Sequence, residues 1–235
     1  MTPEPRLTGT PPNAELLRSL GRLVRGLSAL FWGLPAALII CVMRAIATPG
    51  MDVFSHFGVL PPVVATGWLF YGLWQLGHFQ KQERIWISAL DRAKWLALTN
   101  LGLSPFLLWW NYRPEVGFFS LAVEVMAVCA LFFLGNLNLV LYRLSTMLPD
   151  EHLREETRHF TLINRMLVLG ILVFGIGFML LLHFPGVLPL LSHNAQFVGP
   201  SGLWVVLFLV LLPLAITMAL IWKIKEVILA SVFGA

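Results

Sequence analysis

Charge is scarce in this sequence. Only 12% of its 235 residues are Asp, Glu, Lys or Arg, whereas an ordinary soluble domain carries roughly 25%. Apolar residues make up 58%, and the mean hydropathy is +0.80. This excludes a soluble enzyme core hung on one membrane anchor, because no remaining stretch is long enough to bury a core of its own. Cysteine is almost missing: Cys41 and Cys129 lie inside long apolar runs, so neither a disulfide framework nor a thiolate metal site is expected. A Walker loop, a dinucleotide-binding glycine motif, a serine elbow and an HExxH helix are all lacking. The chain therefore leans away from the enzymes, and no cofactor is expected.

What is present is apolar length. Uninterrupted runs extend from about Leu27 to Thr48, Pro62 to His78, Ala93 to Tyr112, Val116 to Tyr142, Met166 to Phe184 and Gly202 to Trp222. A bilayer-crossing helix needs about 20 such residues. None of the runs alternates with the period of a barrel strand, and in hydrocarbon each backbone polar group must be satisfied within its own segment. The expected fold is all-α, a polytopic membrane bundle of six transmembrane helices arranged as three hairpins. Residues 13–235 form one integral membrane domain, and the proline-rich residues 1–12 are expected to be a disordered tail.

The basic residues sort to alternate loops. Arg6, Arg18, Arg22 and Arg25 precede the first run; Lys81, Arg84, Arg92 and Lys94 lie between the second and third. Arg143, Arg154, Arg158 and Arg165 lie between the fourth and fifth, and Lys223 and Lys225 follow the sixth. Arg113 alone occupies an opposite loop, with Arg44 near the far end of the first run. By the positive-inside rule both termini are expected to be cytoplasmic, in a bacterial cytoplasmic membrane. The formal charge of +4 then implies anionic lipid headgroups as partner, and no nucleic acid. Trp32, Trp74, Trp95, Tyr142 and Trp222 fall near the basic ends, and Trp109, Trp110, Tyr112 and Trp204 near the others, as interfacial belts require. Trp68, nearer mid-span, is the exception.

Local signals add detail. Leu16, Leu20, Leu23, Val24 and Leu27 recur at helical spacing opposite Arg18, Arg22 and Arg25, which fits either an interfacial helix or the first turns of span one. Ser88 and Asp91 match a capping box before span three, and Pro149, Asp150 and Glu151 match a helix start that could run into span five. Pro35, Pro105 and Pro213 should kink their helices. Ala29, Gly33 and Ala37 on span one, and Gly170, Gly175 and Gly177 on span five, read as helix-packing surfaces.

Few residues could carry chemistry. Glu124 lies about 12 Å and Arg44 about 6 Å below the same boundary, counted at helical rise. Three readings fit: an Arg44–Glu124 ion pair fixing span one on span four, a protonatable Glu124 facing water, or a neutral, hydrogen-bonded Glu124. Ser120, Glu124, Gly135, Asn138 and Tyr142 share about 40° of one helix face, expected to turn inward. Gln75, His78, Thr99 and Asn100 come to depths similar to those of Asn136 and Asn138, so an inner polar cluster is expected there. The candidate intramembrane site is thus Glu124, Arg44, Asn138, Asn100, Gln75 and His78. His56, His183 and His193 near the outer face could ligate haem or a metal, and His152, Glu155 or Glu156, and His159 share a helix face better read as solvated.

The expected function is permease-like or channel-like movement of a small solute or proton. The alternatives are a non-catalytic membrane subunit, scaffold or assembly factor, partnered by another membrane protein or by its own copies, and a haem- or metal-binding membrane enzyme.

Overall fold

Long apolar runs without competing turn signals fold as long helices, and the computed structural model contains seven helices among the described residues, six of them long. It describes residues 12–46, 57–80, 83–113, 115–148, 151–183 and 199–233; for 12–17, 152–153, 178–183, 199–207 and 231–233 only the backbone is described. The helices are α1 (Pro12–Ile46), α2 (Leu60–Leu76), α3 (Arg84–Leu103), α4 (Phe106–Tyr112), α5 (Gly117–Thr146), α6 (Glu151–His183) and α7 (Gly199–Phe233). No strand occurs among the described residues. The molecule is an all-helical bundle.

Four helices are long and apolar enough to cross a bilayer: α1 from Arg18 to Ile46, α5 throughout, α6 from Arg154 to Gly177 and α7 from Phe208 to Ala230. Their outward faces explain where they belong. Val173, Phe174 and Phe208 are 66%, 59% and 76% exposed, a belt that water would penalise and lipid tails accept. The protein is an integral membrane protein. α2, at 17 residues, sits at the lower length limit for a span. The expected third span is broken, because Pro105 deprives the Leu101 carbonyl of its donor. Ser104 Oγ donates to that carbonyl at 2.9 Å, and the chain restarts as α4. Pro35 and Pro213, in contrast, lie within helices that continue past them.

The helices run antiparallel in sequence, and small residues set the tightest crossing. A Cβ placed on Gly26 would lie 2.8 Å from the Gly72 carbonyl oxygen, and one on Gly33 would lie 2.9 Å from Leu69 Cδ2. Backbone meets backbone at the α1–α2 contact, the most extensive in the bundle, as small-residue packing in membranes allows. Gly67 faces Leu101 and Gly77 faces Lys94 across α2–α3, and Gly135 faces Val168 across α5–α6. These registers gather the start of α1, the α2–α3 turn, the α5–α6 turn and the end of α7 at one end of the bundle. The basic residues of those segments gather with them.

Several expectations need correction. The amphipathic stretch before span one is not a separate helix, which leaves the second of the two readings: α1 is continuous from Pro12, with Leu23 and Leu27 fully buried and Arg18, Arg22 and Arg25 exposed. Pro12 is therefore helical, while residues 1–11 lie outside the described residues. Ser88 and Asp91 form no capping box, because α3 starts earlier, at Arg84; Asp91 pairs instead with Lys94 at 3.2 Å. α6 does start at Glu151 and runs unbroken through span five. Of the three hairpins, α1–α2 and α3–α5 are extensive pairings, but α6 packs more on α5 than on α7. Added Cβ atoms at Gly170, Gly175 and Gly177 would meet no neighbour within 4 Å, so those glycines are not packing surfaces among the described residues.

Candidate functional site, a polar junction of three helices

α5, α6 and α7 each touch the other two, and polar side chains meet where they converge. Asn138 on α5 is 2% exposed, and Asn164 on α6 and Thr217 on α7 are fully buried. Asn138 Nδ2 donates to the Leu134 carbonyl oxygen at 2.8 Å and to Thr217 Oγ1 at 2.9 Å. Asn164 Nδ2 donates to Thr217 Oγ1 at 2.9 Å and to the Pro213 carbonyl oxygen at 3.1 Å. Thr217 Oγ1 spends its single proton on the Pro213 carbonyl oxygen at 2.7 Å.

This pattern fixes which way each amide points. A carbonyl oxygen can only accept, so the nitrogen of each Asn must face its carbonyl partner and Oδ1 must turn away. Asn138 Oδ1 and Asn164 Oδ1 are buried and have no hydrogen-bond partner among the described residues. Two further orphans lie on α6, Thr157 Oγ1 and Thr161 Oγ1. Thr66, Thr99 and Thr146 return their hydroxyls to their own helices, but these two do not. Thr157, Thr161 and Asn164 recur at i, i+4 and i+7, a single face rising about 10 Å. Pro213 adds an acceptor, since its missing N–H leaves the Leu209 carbonyl without its helical donor. The seam therefore holds an excess of acceptors in a place where unsatisfied polar groups cost most.

The sequence-expected site is only partly assembled here. Asn138 belongs to the junction. Glu124 is half-buried and accepts from Ser120 at 3.3 Å on its own helix. Arg44 is fully buried at the end of α1, where Asn111 Nδ2 donates to its carbonyl oxygen at 3.4 Å. No ion pair joins Arg44 to Glu124 among the described residues, since α1 packs chiefly on α2, α7 and α4 and not on α5. The inner cluster is likewise not formed. Gln75 bonds to Tyr71, His78 to the Trp74 carbonyl and Asn136 to the Phe132 carbonyl, each one turn back along its own helix. Asn100 is 7% exposed, and its Oδ1 has no partner among the described residues.

Sequence reasoning missed Asn164 and Thr217. Asn164 stands just before the apolar run counted from Met166. Thr217 follows Pro213 by four residues, a spacing that allows a hydroxyl to reach the proline's carbonyl. His56 and His193 lie outside the described residues, as does the side chain of His183. Among the described residues no group of three or more His, Cys, Asp or Glu could hold a metal ion.

At the basic end of the junction, Lys223 on α7 pairs with Glu156 on α6, and Arg154 Nη2 donates to the Thr146 carbonyl oxygen at 3.0 Å. An open apolar groove of 560 Å³ lies between α1 and α7, lined by Phe31, Ala215, Met218, Ala219, Trp222, Lys223 and Glu226, and Glu124 does not reach it. Comparison with known proteins gives no guide to what these features do: no protein family, curated protein or solved structure matches the chain.

Proposed function

We propose that the protein is permease-like or channel-like and moves a small solute or proton along the seam between α5, α6 and α7. One observation carries this reading: a line of buried acceptor and hydroxyl oxygens on one face of α6, without partners among the described residues, leading to Asn138 and Thr217. A purely structural polar junction would satisfy its members, because a half-satisfied buried network is less stable than an apolar one. A route for hydrated or proton-bearing species requires such groups to be available.

By the positive-inside rule, the end of the bundle carrying Arg18, Arg22, Arg154 and Lys223 faces the cytoplasm, and the proposed route has its inner mouth on that side. The short loops fit a bacterial cytoplasmic membrane, with the basic groups among anionic headgroups. A cysteine scan along α6, after Cys41 and Cys129 are replaced, tests the route. Labelling of cysteines at positions 157, 161 and 164 by a small methanethiosulfonate reagent is the expected result. Complete protection at 161 and 164 would refute it.

A second reading, a non-catalytic subunit or assembly factor, draws on the exposed Gly170 and Gly177, where added Cβ atoms meet nothing within 4 Å. It expects Gly170→Leu to abolish co-purification with a membrane partner or with a second copy, while α6 cysteines stay protected.

A further inference from the structure

The junction also indicates what kind of species it holds, an inference that rests on the proposed route through the seam. We propose that the α5–α6–α7 seam binds a small monovalent cation through Asn138 Oδ1, Asn164 Oδ1 and Thr161 Oγ1, close to Pro213.

Both amide nitrogens are occupied, and the Thr217 proton is taken by the Pro213 carbonyl oxygen. What remains is oxygen without a partner among the described residues: Oδ1 of Asn138 and Asn164, side chains that are 2% and 0% exposed, and Oγ1 of the half-buried Thr161. Asn138 Oδ1 and Asn164 Oδ1 can only accept, and the Thr161 hydroxyl, whose proton can rotate away, can present a lone pair beside them, so two obligate acceptors weight the set toward a cation. Fixed neutral oxygens replacing a hydration shell are how proteins hold desolvated monovalent ions. A divalent ion would call for carboxylates in the shell. The acidic residue nearest along α6 is Glu156, a residue before Thr157, and it is engaged with Lys223. With no net charge in the oxygen set, a single positive charge is the one it can balance at least cost.

The test uses the full chain, purified and reconstituted in nanodiscs, with thermal unfolding followed by tryptophan fluorescence. NaCl, KCl and choline chloride are compared at equal ionic strength. Sodium or potassium should raise the midpoint over choline in a saturable way, by about 3 °C or more at roughly tenfold excess over Kd. Asn164→Leu and Thr161→Val should each abolish that increment. If Asn164→Leu does not fold, Thr161→Val carries the test, since it keeps the shape and removes a hydroxyl with no partner among the described residues. Equal midpoints in all three salts, or an increment that survives Thr161→Val, would overturn the cation site. Dye-reported proton flux in liposomes separates the two proposals: flux with no cation-dependent midpoint leaves the route and removes the site, and the converse leaves the site and removes the route.

Discussion

Asn138 on α5 and Asn164 on α6 donate to the same oxygen, Thr217 Oγ1, each across 2.9 Å. One hydroxyl thus ties three helices together at the buried centre of the junction. Each amide nitrogen keeps a second bond, to Leu134 or Pro213, so losing the hydroxyl removes one bond from each rather than orphaning either.

Thr217→Val should therefore cost about 1–2 kcal/mol, near the sum of two typical interhelical hydrogen bonds in a membrane. Thr217→Ser, which keeps the oxygen, should stay within about 1 kcal/mol of the parent. Unfolding titrations in mixed micelles measure both. Equal losses for Val and Ser would mean that the methyl packing, and not the shared acceptor, holds the junction.

The α1–α2 crossing supplies an independent stability test. A Cβ on Gly26 would approach the Gly72 carbonyl oxygen to 2.8 Å, and a backbone atom cannot swing aside. Gly26→Ala should destabilise by about 1–3 kcal/mol through overpacking. Gly21, a turn and a half earlier, has nothing within 4 Å of the same added atom. Gly21→Ala should be neutral or stabilising by up to about 1 kcal/mol, because alanine favours the helix. A loss at Gly21 matching that at Gly26 would show that the crossing is looser than described here.

Helix positions were readable because hydropathy is a local property, and the α1 small-residue face of Ala29, Gly33 and Ala37 because its spacing is helical, although Gly26, which approaches the Gly72 backbone, lay outside it. The candidate site was readable only in part. Depth along a helix follows from residue counting, which placed Arg44 and Glu124 near one level; their azimuths depend on which helices adjoin, and α1 and α5 do not pack together extensively. Asn138 was placed on an inward face, but its interhelical hydrogen bond is to Thr217 on α7, and not to Gln75, His78 or Asn100. Asn164 escaped notice because a polar residue at the edge of an apolar run looks like the end of a span. α6 starts at Glu151, so Asn164 lies thirteen residues inside the helix.

Topology can be checked without purification. Reporter fusions after Leu148 and at the C-terminal tail should behave as cytoplasmic, and a fusion after Arg113 as external, if the basic end of the bundle faces inward. An external signal from either of the first two would reverse the direction of the proposed route.

The Lys223–Glu156 pair closes α7 on α6 beside Thr157, where the line of orphan hydroxyls begins. Its side chains are 40% and 29% exposed, so solvent screens the charges and Lys223→Gln should change stability by less than about 1 kcal/mol. Its effect on access should be larger. With the clamp removed, a cysteine introduced by Thr161→Cys should label several-fold faster at low salt. In the parent, raising ionic strength should speed labelling toward the same rate, because salt weakens the pair. Lys225→Gln serves as the control, since Lys225 sits over the Trp222 ring at 5.6 Å and not across the α6–α7 contact. Equal labelling rates for the Lys223 and Lys225 variants would mean that the pair does not guard the seam, and that reagents reach position 161 from elsewhere in the bundle.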